Sequence, residues 1–176
     1  MADPFVVTFV AGVTPGKWAR TWNERMRREP LTLVPAEQDA ALASVLDGSA
    51  HMGLLRDIVP NDDLHVIPLY REQPVVVAAR DSLIAALDSV TLADLAGENV
   101  LETQDAAAIE LVATGAAVAR MPASVARAHS RKDVVARPVS DAADSGIGLA
   151  WLVSASHPSI DVFIGIVRGR TENSSR

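Results

Sequence analysis

Residues 9–21 read FVAGVTPGKWART, with two glycines, a proline and a lysine directly after an apolar run. A turn of this kind between a strand and a helix can present backbone N–H groups to an anion. Its nucleotide-binding version is G-x-x-x-x-G-K-[ST], in which the final hydroxyl holds magnesium. Here only three residues separate Gly12 from Gly16, and Trp18 stands where that hydroxyl is needed. A nucleotide phosphate loop is therefore not expected. The better expectation is a helix start with Thr14 as N-cap and Pro15 in the first helical position. The free N–H groups of such a start favour small anions and carboxylates. The plain alternative is a well-capped helix with no ligand.

The other chemistry-bearing residues form no catalytic or metal set. The chain has no cysteine, so thiolate nucleophiles, disulfides and cysteine metal sites are excluded. His51, His65, His129 and His157 are not spaced as metal-binding pairs. Ser145 in SDAADSG lies outside any G-x-S-x-G elbow and reads as part of a hinge loop. Glu37 and Glu72 form no carboxylate pair that sequence alone can argue. The expectation is a non-enzymatic protein without cofactor or metal.

Charge narrows the partners. The 176 residues carry a net charge of −6, with pI about 5.1, which argues against direct nucleic-acid binding. Residues 17–29 run locally basic, with five basic and two acidic residues. This reads as a solvated helix face. The amino end has no cationic leader pattern, and no apolar run reaches the length of a membrane span. A cytoplasmic location without membrane attachment is expected.

The elements follow from periodicity. FVVTFVA (5–11), LTLV (31–34) and MGLL (52–55) are short runs apolar on both sides, which suits buried parallel strands. Between them, Trp18, Trp22 and Met26 repeat every four residues and predict one helix face. Leu42, Val45 and Leu46 predict a second helix, stopped at Gly48. Strand–helix alternation implies right-handed crossovers and a parallel sheet. Residues 64–80 predict two strand pieces around Tyr70 to Pro74. Helices are expected at LADLAGE, DAAAIELVATG, PASVARAHS and PSIDVFIGIVRG, and strands at NVLE, AVARM, VVARPV and IGLAWLV. The polar residues 171–176 should fray.

In a parallel sheet, the loops after successive strands gather at the carboxyl edge, where open α/β sheets bind ligands. That edge brings PAEQ (35–38) and LLRD (54–57) beside the Thr14 helix start. The candidate ligand-binding residues are Gly12, Val13, Thr14, Glu37, Gln38, Leu55, Arg56 and Tyr70. Arg56 supplies a forked cation suited to a carboxylate. Its competing reading is a surface ion pair with Asp57 or Asp62. Glu37 would oppose a purely anionic ligand, so a carboxylate that also carries a hydroxyl or amine fits better.

The order AGVTPGKW, LVPAEQDAALASVLDGSAHMGLLR, VIPLYREQPVVVAARDSL, LADLAGE, LETQDAAAIELVATGAAVARMPASVARAH and GIGLAWL resembles the effector-binding domain of LysR-type transcriptional regulators. The resemblance implies a two-lobed α/β fold like that of periplasmic binding proteins, with mixed sheets and helices on both faces. It implies lobe one at 1–71 plus 146–176 and a reduced lobe two at 72–145, with hinges near 70–74 and 139–145. It further implies a regulatory module that binds a small-molecule effector and forms a homodimer; as a departure from the family pattern, this chain is expected to lack its own DNA reader. The alternative is a protein-interaction module that has lost its effector and acts through a separate protein partner.

Overall fold

The computed structural model describes residues 3–103 and 105–169. The fraying expected for 171–176 lies outside them. The chain opens with β1 (Phe5–Phe9), α1 (Gly16–Arg25), β2 (Leu31–Pro35), α2 (Gln38–Leu46), β3 (Met52–Arg56) and β4 (Leu64–Glu72). It continues through β5 (Pro74–Ala79), β6 (Val100–Leu101), α3 (Ala106–Ala113), β7 (Val118–Pro122), α4 (Ala123–Ala128) and β8 (Val134–Pro138). It closes with β9 (Ser145–Leu152) and α5 (Ser159–Val167). These elements form two compact units, one from Met1–Tyr70 with Ile147–Arg176 and the other from Arg71–Gly146.

The first unit holds a five-stranded sheet in the order β2-β1-β3-β9-β4. β1 runs parallel to both β2 and β3, and β9 pairs antiparallel to β3. Alternate residues of β1 therefore serve different faces. Phe5 and Val7 enter the main core with Trp22 of α1 and with Ile160, Phe163 and Ile166 of α5. The opposite face carries α2, which approaches so closely at Gly53 that a Cβ there would lie 2.9 Å from Val45 Cγ2.

The helical face read from Trp18, Trp22 and Met26 is core. Trp22 is fully buried, stacks on Phe5 with ring centres 5.0 Å apart, and donates through Nε1 to the Glu29 carbonyl at 2.8 Å. Two expectations need correction. LTLV is not a doubly buried strand, because β2 lies at the sheet edge and Thr32, Val34 and Pro35 are exposed. Leu46, expected on the apolar face of α2, is 48% exposed, because the sheet contact is taken by Ala41 and Val45.

The second unit holds the order β6-β7-β5-β8. β5 is antiparallel to both β7 and β8, while β6 and β7 are parallel. Its sequence PVVVAA is apolar on both faces, and the structure uses both. Val75 and Val77 meet α3 and α4, whereas Val76 and Ala78 meet Ile84, Val90 and Leu95. LADLAGE forms only a short 3-10 turn, Ala93–Leu95. Asp94 turns back to accept from the N–H and hydroxyl of Thr91, and this local closure competes with a longer helix.

Candidate functional site

The carboxyl edge of the first sheet is assembled where β1 leaves it. Val10 N–H still donates to the Leu54 carbonyl at 3.1 Å, after which the chain turns away. Gly12 makes the turn with φ of +88°, a conformation that carries a steric cost for other L-residues. Val13 is buried and anchors the loop, while Thr14 faces solvent. α1 does not start on Thr14. Pro15 is the N-cap, no side chain caps the helix, and the first helical bond runs from Ala19 N–H to the Pro15 carbonyl at 3.0 Å. Burial of Val13 and Pro15 rotates Thr14 outward, so its hydroxyl lies outside the helix start. The first-turn N–H groups of Gly16, Lys17 and Trp18 have no acceptor within the helix.

The loop after β2 arrives beside this start. Ala36 N–H donates to the Phe9 carbonyl at 3.0 Å. Glu37 follows, exposed, as N-cap of α2. Gln38 opens that helix and reaches β3, where its Oε1 accepts from Arg56 N–H at 3.0 Å and its Nε2 donates to the Arg56 carbonyl at 2.8 Å. The Arg56 guanidinium then donates through Nη2 to the Ala11 carbonyl at 3.1 Å. That bond ties the cation to the loop that leads into α1.

Six of the eight sequence-derived candidates thus share one edge: Gly12, Val13, Thr14, Glu37, Gln38 and Arg56. The side chain of Leu55 is not at that edge, because it is fully buried in the core. Tyr70 stands at the end of β4, two strands from β3 in the sheet order. Among the described residues, no three His, Asp or Glu side chains gather as for a metal ion.

The two helix starts differ in charge. α2 carries Glu37 at its N-cap and Asp39 in its first turn, so its dipole already faces acids. The first turn of α1 holds no acid. An anion arriving at this edge is therefore favoured at α1 and disfavoured at α2. The arrangement offers backbone donors, one forked cation and a nearby carboxylate, which is chemistry for binding and orienting a small acid.

The LysR substrate binding domain model matches residues 8–107, from within β1 to the first turn of α3. The chain belongs to this LysR substrate-binding family. Solved structures match it along nearly its whole length. A cysteine-to-aspartate variant of the OxyR regulatory domain from Pseudomonas aeruginosa has a TM-score of 0.78 at 18% identity, covering 96% of this chain and 97% of that one. The BenM effector binding domain with its effector benzoate has a TM-score of 0.81 at 15% identity, covering 94% and 90%. Full-length CbnR complexed with its target DNA has a TM-score of 0.75 at 17% identity, covering 94% and 70%. No curated protein matches the chain. At these identities the neighbours establish the fold of this LysR-family domain: two-lobed and periplasmic-binding-protein-like, with mixed sheets.

A second group of polar residues in the LysR domain, at the opposite edge of the first sheet, went unnoticed in the sequence. His51 Nδ1 accepts from Val6 N–H at 2.9 Å, and its ring lies 4.6 Å from that of His157. Glu29 accepts from Ser159 Oγ at 2.6 Å and approaches His157 Nε2 at 3.8 Å. Burial, and secondarily the neighbouring His157, hold His51 below the usual imidazole range. Glu29, His51 and the His157–Ser159 pair come from three separate stretches of the chain, so no local pattern marks them.

Proposed function

We propose that this LysR-family chain is a non-catalytic sensor module that binds a small carboxylate at the carboxyl edge of its first sheet. The carboxylate sits at the start of α1, and Arg56 supplies its counter-charge. The observation that carries this reading is the Arg56–Ala11 bond, which fixes a guanidinium on the loop that presents the first-turn N–H groups of α1. Support comes from the acid-free first turn of α1 and from a structural neighbour that carries benzoate, itself a carboxylate, as its effector. Glu37 selects for an effector with an additional hydrogen-bond donor. The two lobes correspond to the compact units Met1–Tyr70 with Ile147–Arg176 and Arg71–Gly146.

The module works in the cytoplasm as a homodimer. A thermal-shift series against benzoate, hydroxybenzoates and small aliphatic hydroxy acids tests the proposal. At least one of them should raise the melting temperature of the wild-type chain but not of Arg56→Ala. A series without any shift would favour a module that acts through a protein partner instead.

A further inference from the structure

The two bonds between Gln38 and the main chain of Arg56 reproduce, with a side chain, what a neighbouring strand provides. Along β3, Leu54 still receives Val10 N–H. The next main-chain groups on that side are those of Arg56, but β1 has already turned away at Ala11 and Gly12. The donor and acceptor of Arg56 would otherwise depend on water. A carboxamide presents its oxygen and one of its two N–H groups along the same edge, as a strand residue presents its own C=O and N–H to a neighbour, and Gln38 places them at 3.0 and 2.8 Å. The residue immediately after, Asp57, has φ of +47°, so the chain bends sharply just past the clamped position.

We propose that Gln38 is the positioning residue of this site. Its amide takes the place of the departed strand, fixes the end of β3 and thereby aims the Arg56 guanidinium at the Ala11 loop. This rests on the carboxylate reading of the site and reassigns Gln38 within it, from a group that contacts ligand to one that acts through Arg56. Each amide atom is engaged by the main chain of Arg56, so the orientation of the amide is set by β3. The helix supplies the rigidity, since Gln38 is the first residue of α2 and its backbone is set by Glu37 and by the Ala41 N–H bond to the Glu37 carbonyl at 2.8 Å.

Two measurements on the full chain test the proposal and separate it from the carboxylate reading. The first is amide hydrogen exchange. In Gln38→Ala the Arg56 amide should exchange roughly tenfold faster than in wild type, while the Val7 amide inside the sheet is unchanged. Gln38→Glu keeps the acceptor but loses the donor, so it should protect the Arg56 amide better than Gln38→Ala does. If the Arg56 amide exchanges equally in all three proteins, the positioning role is wrong, whatever binds.

The second is calorimetric titration with benzoate of wild type, Gln38→Ala, Arg56→Ala and the double variant. Gln38→Ala should weaken binding about tenfold in the wild-type background and add nothing in the Arg56→Ala background. An additive loss would make Gln38 an independent contact and overturn the proposal. If wild type binds no benzoate while the exchange result holds, the benzoate reading fails and the Gln38–Arg56 clamp stands.

Discussion

His51 shows how one side chain couples pH to the fold. Burial, and secondarily the neighbouring His157, favour its neutral form in the folded state, in which Nδ1 accepts a hydrogen bond from Val6 N–H. Its folded pKa lies below that of the unfolded chain, which is about 6.5 for a free histidine. Between the two values the unfolded chain binds more protons, and stability rises with pH. The contribution is therefore complete above about pH 6.5 and is lost as pH falls through the window below. His51→Asn keeps an acceptor for Val6 but does not titrate. Urea midpoints at pH 7.5 and 5.5 should fall more for wild type than for this variant. Equal falls would show that His51 is not the titrating group.

A backbone test belongs to this scale too. Gly12→Ala places a Cβ at φ of +88° and should cost about 1–2 kcal/mol. Denaturant titration reads it directly, and an unchanged midpoint would mean that the loop relaxes.

At the scale of elements, α2 is seated on the sheet through a missing side chain. Gly53 lies beneath Val45, a stiff β-branched residue that is itself fully buried. Gly53→Ala should therefore overpack the interface and destabilise by about 1–3 kcal/mol. A combined Gly53→Ala, Val45→Ala variant should show a smaller loss than the two single losses added together, and simple additivity would argue against the contact.

Much of the element order was legible. Gly12 and Gly48 mark turns by type, and the four-residue repeat from Trp18 marks a face that packs inward. What escaped depends on neighbours distant in sequence. Nothing inside LTLV says that β2 is an edge, because that follows from strand order. Thr14 has the composition of an N-cap, yet burial of Val13 beside it decides which way its hydroxyl faces. Gln38 looks like any polar residue at a helix start. Its bonds to Arg56 exist because β1 turns away at Ala11, which no local pattern encodes. Arg56 was conspicuous as a cation after an apolar run, but its anchor on Ala11 required the folded sheet.

For the whole molecule, β2 leaves one edge of the first sheet exposed, with Val34 39% accessible and Thr32 exposed beside it. An exposed edge with apolar side chains invites pairing with another chain. Light scattering at micromolar concentration is expected to give the dimer mass, and Val34→Lys to shift it toward monomer. A monomer mass for wild type would remove the homodimer from the account.

Binding of a small carboxylate at the start of α1 beside Arg56 is the proposal on which the sensor reading depends. Its most direct test is an amide and guanidinium chemical-shift map during titration with benzoate. The resonances of Gly12, Gly16, Lys17 and Trp18 and the Arg56 side chain should move together with one dissociation constant, and Arg56→Ala should abolish the shifts at Gly16 to Trp18. Shifts confined to residues 71–146, or shifts at α1 that persist unchanged in Arg56→Ala, would contradict it.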